Sequence, residues 1–375
     1  MAISPTVQAT LQRYREEIQA ALREAVARAT ASLGEGTSSL LQGYYGQMRY
    51  HLGWVDAELR PIAAQTGKLL RPTLLLLSYE AAGAWGELPQ EDEPRRYLRR
   101  ALPAAAAIEL THNFTLIHDD IEDEDSERHH RPTVWKLWGV PQAINAGDGL
   151  FALSRLSLWG VLEAGVDPAL AARLAALLDR TCLTIAEGQY LDMLFETRVD
   201  VSVEAYIEMI RRKTAALMAC AAEMGALLGT RDEEIVERLR HFGEALGLAF
   251  QVRDDLLGVW ASLDELGKNP AGDIYRRKKS LPVLHALAHA QALDRERLLA
   301  LYQQSTPLSE EQVNEILAIF GRTETRPACQ AFLAEQCRRA RAALEAVPAP
   351  SSPLARRARS DLEAFVAFVE AASHN

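Results

Sequence analysis

Cysteine is scarce in this chain of 375 residues, and apolar runs long enough to cross a membrane are absent. The four cysteines show neither CxxC spacing nor a paired histidine, which argues against a zinc site or a disulfide framework and favours a reducing cytoplasm. We expect neither a membrane span nor a signal peptide. The formal net charge of -10 argues against a nucleic-acid-binding protein, because such a protein needs a basic face.

Alternating runs of β-branched residues are also scarce, whereas apolar residues recur at three- and four-residue spacing nearly throughout. Apolar residues make up 48% of the chain and charged residues 25%, which is enough for a sizeable core. We therefore expect an all-α, single-domain helical bundle over residues 1–375 around a central cavity. Its motifs fall within about 40–300, and further helices follow over 301–375.

The periodicity predicts a first helix over 5–32, which the stretch Gly34–Ser39 ends. A second helical block follows Lys68, and Pro103 opens a third that carries the acids near residue 119. Further helices are predicted over 142–164, 168–195, 203–229, 232–260, 279–292, 309–320, 326–346 and 353–372.

An acidic cluster ends the third predicted helix, with six acids in the seven residues from Asp119 to Asp125. On a helix Asp119 and Asp123 share a face one turn apart, so their charges repel unless a cation lies between them. Magnesium suits such oxygen ligands, because it binds through one or two carboxylates plus substrate phosphates. The alternative is a solvated acidic helix end.

A second acidic pair, Asp254-Asp255, lies among apolar residues on a predicted helix. Acids in such surroundings need partners, and Gln251 lies one turn before Asp255 on the same face. If the two acidic clusters face each other across a cavity, they would hold several magnesium ions and a diphosphate.

Lysine is the minor basic residue, contributing six of the 41 positive side chains. A lysine ammonium is a compact point charge suited to a phosphate oxygen. Runs such as 211–213 and 276–279 are equally consistent with solvated helix ends.

In order along the chain, the segments Gly67–Pro72, the Asp119 cluster, Lys213-Thr214 and Phe250–Asp255 resemble the motifs of the polyprenyl synthetase family. The resemblance covers roughly residues 40–300. It implies the isoprenoid synthase fold and a homodimer. It also implies a prenyltransferase that joins isopentenyl diphosphate to an allylic diphosphate with the help of magnesium, expected as three ions.

The resemblance also assigns roles to individual residues. It implies that Asp119, Asp120 and Asp123 bind two magnesium ions, and that Asp254 and Asp255 bind a third. Isopentenyl diphosphate is assigned to Lys68, Arg71 and His112, and the last of these lies two helical turns before Asp119 and points the same way. The allylic diphosphate is assigned to Arg128, Lys213 and Lys278. Further positions that match the lining of the family's site are Thr214, Gln251, Lys268, Gln189 and Asp192.

Two positions depart from the family pattern. His129 follows Arg128 where the family has a second arginine, so one diphosphate contact is expected to be weaker or pH-sensitive. Gly258 takes the place of the final acid in the second motif. These departures leave a regulatory subunit that binds prenyl diphosphates as an alternative. A class I terpene cyclase is a further alternative, because it shares the α-helical cavity and the acidic magnesium motifs.

Product length is expected to depend on the helix that precedes Asp119. The growing tail should run towards the N-terminus of this helix, past the small Thr115 to Phe114, about 7.5 Å below Asp119. Thr111 and Ile108 would be the next obstacles. The spacing from Asp119 to Arg128 resembles that of family members without a two-residue insertion, and in these an aromatic at the position of Phe114 accompanies C20 products more than very long ones. Geranylgeranyl diphosphate is therefore the first expectation and farnesyl diphosphate the second. The apolar stretch 143–162 is the expected contributor to a dimer interface.

Overall fold

The computed structural model describes residues 4–31, 33–62, 67–198, 200–261, 271–348 and 352–371, and these residues are almost entirely helical. The first seven helices are α1 (Pro5–Ala31), α2 (Glu35–His51), α3 (Leu70–Ala81), α4 (Leu102–Glu122), α5 (Val134–Trp138), α6 (Val140–Trp159) and α7 (Pro168–Thr197). A two-stranded antiparallel hairpin, β1 (Glu127–Arg128) and β2 (Arg131–Pro132), separates α4 from α5. The all-α prediction is confirmed.

The second half of the chain continues in the same way. Its helices are α8 (Val203–Ile210), α9 (Ala216–Gly229), α10 (Glu233–Trp260), α11 (Gly272–Tyr275), α12 (Leu281–His289), α13 (Ala292–Gln303), α14 (Glu310–Arg322), α15 (Thr325–Glu345) and α16 (Pro353–Glu370). A π-helical turn, Arg211–Ala215, joins α8 to α9. No helix in the described part of the chain is long and apolar enough to cross a membrane.

Four helices were not predicted from the sequence, namely α2, α13 and the short α5 and α11. The stretch 34–39 was expected to be a loop, but α2 begins at Glu35. Its glycines and serines have low helix propensity, yet Met48 and Tyr50 are buried, and tertiary packing outweighs propensity. Helix α13 was also missed, and only Leu298 and Leu301 among its residues are buried.

Contacts divide the chain into two compact units. The N-terminal unit comprises Ala9–Asp179 and Met224–Arg231, and the C-terminal unit comprises Met1–Gln8, Arg180–Glu223 and Asp232–Asn375. The boundary falls within α7 and α9. The single-domain organisation stays a prediction, and each unit is described by itself.

The N-terminal unit is built on the antiparallel pair α4 and α6. Ser157 donates to the carbonyl of Pro103 at one end of the pair, and the His118 ring lies 3.4 Å from the carbonyl oxygen of Ile144 at the other. Gly147 permits this approach, because a Cβ there would lie 2.5 Å from Cδ2 of His118. The pairing places the C-terminal end of α4, with its acids, beside the start of α6.

The C-terminal unit is built on α10, whose main partner is α15. The second half of α10 is apolar and buried at Leu246, Leu248, Ala249 and Val252. The second acidic pair follows directly on the same helix, so burial of this face determines where the two carboxylates point.

Candidate active site

In the N-terminal unit, α4 ends in the first acidic motif. The last turn of α4 carries no basic side chain, and the partial negative charge of a helix C-terminus disfavours acids there. Asp119 is half-buried, Asp120 is 1% exposed, and Asp123 is exposed just after the helix. Arg128 on β1 donates from Nε to Oδ1 of Asp120 at 2.7 Å. Six acids lie within seven residues here, and a cationic ligand would reduce their mutual repulsion.

The other oxygen of Asp120 tests whether a metal ion fits here. Oδ2 is buried and receives no hydrogen bond from any described residue. Burial raises the pKa of Asp120 to about 6, and the nearby Arg128 opposes this rise. Among the described residues no three His, Cys, Asp or Glu side chains form a metal site by themselves. Magnesium takes one or two carboxylates plus substrate phosphates, so the orphaned oxygen and its acidic neighbours fit that ion.

The residues assigned to isopentenyl diphosphate lie where α3 meets α4. Arg71 donates from Nη1 to Nε2 of His112 at 3.1 Å. Burial and the Arg71 guanidinium hold the pKa of His112 well below its usual range, so the imidazole is neutral and accepts this bond. Lys68 is exposed and directly precedes the N-terminus of α3. The structure therefore brings Arg71 and His112 together and presents Lys68 to solvent at the same helix end.

A small cavity of about 70 Å³ adjoins this pair, and its lining includes His51, His112, Asn113, Asp120 and Arg128. Burial and the positive charge of Arg128 lower the pKa of His51 to about 3. His51 was not predicted as a site residue, because it ends α2, a helix that the sequence does not indicate. Arg128 and Arg131 bring hydrogen-bond donors to this pocket beside the neutral imidazoles, and Glu109 and Asp120 bring carboxylates.

His129 lies in the tight turn between β1 and β2. His129 and His130 have φ values of 52° and 59°, as a two-residue turn of type I′ requires. Glycine or asparagine adopts this conformation at lower cost, so the two histidines place local strain beside Arg128. The side chain of His129 is exposed. Its assignment to substrate stays a prediction.

The residues assigned to product length line one side of α4. Phe114 is half-buried, and its ring packs edge-on against Phe151 of α6, with centroids 5.1 Å apart. Thr115 donates to the carbonyl of His112 at 2.8 Å, and Thr111 is fully buried. Phe114 is the bulky member of this set, as the sequence indicated.

In the C-terminal unit, the π-helical turn carries Lys213 and Thr214. Helix α7 passes close to this turn at Gly188, where a Cβ would lie 2.7 Å from Cα of Lys213 and 2.8 Å from the carbonyl carbon of Arg212. One turn further along α7, Asp192 accepts a hydrogen bond from Nζ of Lys213 at 2.6 Å. π-Turns are often found at functional sites, and here the turn is held against α7. Sequence analysis missed both the turn and the role of Gly188.

Asp255 is the buried member of the second acidic pair, with 1% of its surface exposed. It accepts hydrogen bonds from the Tyr206 hydroxyl at 2.5 Å, from Gln251 at 3.2 Å and from the backbone of Leu281 at 3.3 Å. Gln251 also accepts a bond from Thr214 at 2.9 Å. Burial raises the pKa of Asp255. The predicted partnership of Gln251 and Asp255 is confirmed, and the network links the π-turn to α10.

Asp254 presents the accessible carboxylate of this pair, with 46% of its side chain exposed and Arg253 at 3.5 Å. Lys278 has its pKa raised, because Asp255, Asp273 and Asp192 outweigh the effect of desolvation, which lowers it.

Gly258 stands where the family has the final acid of the second motif. A Cβ at Gly258 would lie 2.5 Å from Cγ of Asp273, so a carboxylate from α11 takes up the space beside this glycine.

Two assigned residues remain, Lys268 and Gln189. Lys268 lies outside the described residues. Gln189 lies on α7, next to Gly188. That the two acidic clusters face each other stays a prediction, as do the individual roles of the assigned residues.

The all-α architecture with an acidic motif on each of two long helices defines an isoprenoid synthase fold. The family model of polyprenyl synthetases matches residues 53–320. The chain therefore belongs to the polyprenyl synthetase family and is a prenyltransferase. The recognition made from the four sequence motifs is confirmed.

Individual relatives differ in their products. The (2E,6E)-farnesyl diphosphate synthase of Mycobacterium tuberculosis strain H37Rv is 40% identical over 270 residues, which cover 72% of this chain and 70% of that protein. The geranylgeranyl diphosphate synthase of the same strain is 38% identical over 301 residues, or 80% of each chain. The polyprenyl synthetase from Streptomyces coelicolor A3(2) superposes with a TM-score of 0.81 at 37% identity, covering 97% of this chain and 99% of that one. Identity therefore does not decide the product.

Proposed function

We propose that this prenyltransferase condenses isopentenyl diphosphate with dimethylallyl, geranyl or farnesyl diphosphate and releases a short all-trans prenyl diphosphate. The observation that carries the proposal is the orphaned, buried carboxylate oxygen of Asp120 in an acidic helix end. Geranylgeranyl diphosphate is the first candidate product and farnesyl diphosphate the second, because Phe114 stands one and a half turns before Asp119.

The reaction begins when the bond between C1 and oxygen of the allylic diphosphate breaks and diphosphate departs. In this proposal Arg128, Lys213 and Lys278 bind the departing diphosphate and stabilise its growing charge. Asp119, Asp120 and Asp123 would hold two magnesium ions, and Asp254 with Asp255 a third. When bound, these ions supply electrostatic stabilisation of the leaving group.

The second step joins the two substrates. The double bond of isopentenyl diphosphate attacks C1 of the allylic cation, and loss of a proton to the released diphosphate restores an allylic product one isoprene unit longer. Lys68, Arg71 and His112 hold the diphosphate of the attacking substrate, and the neutral imidazole of His112 orients Arg71. The apolar wall of α4 excludes water from the cation.

One incubation tests the function directly. The full-length protein is mixed with labelled isopentenyl diphosphate, magnesium and each allylic primer in turn, and the products are sized by chromatography after phosphatase treatment. We expect a C15 or C20 product that disappears when chelator exceeds the metal. Cyclic hydrocarbons without consumption of isopentenyl diphosphate would instead identify a terpene cyclase, and full activity in excess chelator would contradict the metal assignment.

Replacing Lys68 by alanine is expected to raise KM for isopentenyl diphosphate about tenfold or more, with a smaller change in kcat. The reason is that an exposed ammonium at the start of α3 binds the substrate in its ground state as well as in the transition state. Initial rates measured against each substrate separately decide the point. Lys136→Ala is the matched control, because Lys136 is also an exposed lysine of the N-terminal unit, and it should leave both KM values unchanged. An effect confined to the allylic substrate would refute the assignment.

We further propose a homodimer that buries one face of α6. Four of its apolar side chains lie on one helical face and are 38–45% exposed, namely Val140, Ile144, Phe151 and Trp159. We expect light scattering at micromolar concentration to give twice the mass of the 41.5 kDa chain. The double variant Ile144→Asp/Trp159→Asp should give a monomer, and a monomeric wild-type protein would contradict the proposal.

Cytoplasmic location also stays a prediction.

Replacing Phe114 by alanine is expected to lengthen the main product by at least one isoprene unit. The ring is the first bulky side chain on the tail's path along α4, and its removal opens that path to Thr111. Chromatography of the dephosphorylated products measures the shift. Leu137→Ala truncates an exposed apolar side chain of α5 outside the assigned residues, and as the control it should leave the distribution unchanged. If Phe114→Ala keeps the wild-type distribution, the floor lies elsewhere.

A further inference from the structure

Phe114 does not stand alone in the N-terminal unit, because its ring rests against a second aromatic ring from α6. The planes of Phe114 and Phe151 are perpendicular, and their centroids are 5.1 Å apart. On its other side along α4, Phe114 meets the ring of His118 with centroids 5.9 Å apart. Edge-to-face pairs of this kind are favourable beyond the area they bury.

The close pairing of α4 and α6 produces this contact. The two helices are antiparallel, and Gly147 lets α6 approach the ring of His118. One turn further along α6, Phe151 reaches the residue one turn earlier on α4, which is Phe114. Phe114 therefore cannot swing towards α6 without displacing Phe151.

Phe151 is itself held in place by a charged side chain. The guanidinium of Arg155 lies over the Phe151 ring, 3.3 Å from its centroid. Arg155 also donates to the carbonyl of Phe151 at 3.0 Å and to Oδ1 of Asp179 on α7 at 3.0 Å. Although Phe151 is 38% exposed, its ring is thus fixed between Phe114 and a guanidinium that α7 anchors.

There is room for a longer tail beyond the pair. The direction in which the tail runs along α4 leads to Leu102 and Pro103, at the start of the helix. Both line a cleft of about 1110 Å³, to which α1 and α6 also contribute. A tail that passes Phe114 along α4 would find space in this cleft.

We propose that Phe151, clamped by Arg155, is a specificity-determining residue that supports Phe114 and sets the product length together with it. The inference rests on the proposed function. It assigns the floor of the tail site to an aromatic pair across two helices, so that removing either ring lets the tail pass.

The test compares the product lengths of Phe151→Ala, Phe114→Ala and the double variant at equal primer and isopentenyl diphosphate concentrations. We expect Phe151→Ala to lengthen the main product by at least one isoprene unit. The double variant should lengthen it by less than the sum of the two single changes, because both rings block the same path. Arg155→Met should give a partial shift in the same direction, since the ring loses its clamp but remains.

Ile144→Ala is the matched control, because it truncates an exposed apolar side chain on the same face of α6 and leaves both rings in place. It should keep the wild-type distribution, and light scattering on every variant should give one mass. Phe151→Leu serves if the alanine variant does not fold, and should give an intermediate shift. A wild-type distribution from a folded Phe151 variant would overturn the inference. Absence of any prenyl product from the wild-type protein would instead overturn the proposed function.

Discussion

Asp119→Ala and Asp254→Ala are each expected to lower kcat at least ~100-fold, which corresponds to about 2.7 kcal/mol of lost transition-state stabilisation. Both side chains present carboxylate surface, Asp119 half-buried at the end of α4 and Asp254 46% exposed on α10. In the proposed reaction each helps to hold the ions that stabilise the departing diphosphate, and that charge is greatest in the transition state. The magnesium concentration for half-maximal activity should rise as well.

A control separates this loss from a general change in charge. Glu122 is an exposed acid in the last turn of α4, outside the assigned metal ligands. Glu122→Ala removes the same charge from the same helix end and should keep kcat within a few-fold of wild type. Steady-state rates over a magnesium titration measure all three variants. Equal losses in Glu122→Ala and Asp119→Ala would show that the net charge of the cluster matters and that particular ligands do not.

Gly188→Ala is expected to lower kcat by about 10- to 100-fold through a shift of the π-turn. The added Cβ would lie 2.7 Å from Cα of Lys213 and 2.8 Å from the carbonyl carbon of Arg212, and backbone atoms cannot give way as a flexible side chain can. The turn must then move from α7 and carry Lys213 and Thr214 with it. A displacement of about 1 Å in a positioning group can cost 10²-fold in rate.

Gly321→Ala is the matched control for this variant, because Gly321 is also helical and no atom lies within 4 Å of the position of its Cβ. It should leave the rate unchanged and make the protein slightly more stable. In Gly188→Ala, KM for the allylic substrate should rise while KM for isopentenyl diphosphate stays near wild type. A lower kcat with both KM values unchanged and a loss of helical signal in circular dichroism would indicate general unfolding, and equal increases in both KM values would contradict a specific role in positioning the allylic substrate.

Most helices from α3 to α12, all but the short α5 and α11, could be predicted because they depend on local pattern, and so does the order of the motifs. Apolar residues at three- and four-residue spacing predict helices wherever a core exists to bury them. Acids clustered at the end of an apolar helix indicate a cation site, because like charges one turn apart repel each other unless a cation binds between them. Helix α2 was not predicted, because its local pattern does not indicate a helix. Its sequence is unfavourable for a helix, and only burial of its C-terminal half stabilises it.

The sequence by itself determined the family and the class of reaction, since its motifs follow the order of those of the polyprenyl synthetases. Tertiary structure decided which member of each acidic pair is accessible. Asp254 is exposed because Asp255 turns inward to Tyr206 and Gln251, and the adjacent sequence positions alone do not distinguish them. Close approach between helices likewise placed Gly188 against the π-turn and Phe151 against Phe114. Such contacts depend on the packing of residues that are 25 or more positions apart in the chain, so no local pattern records them.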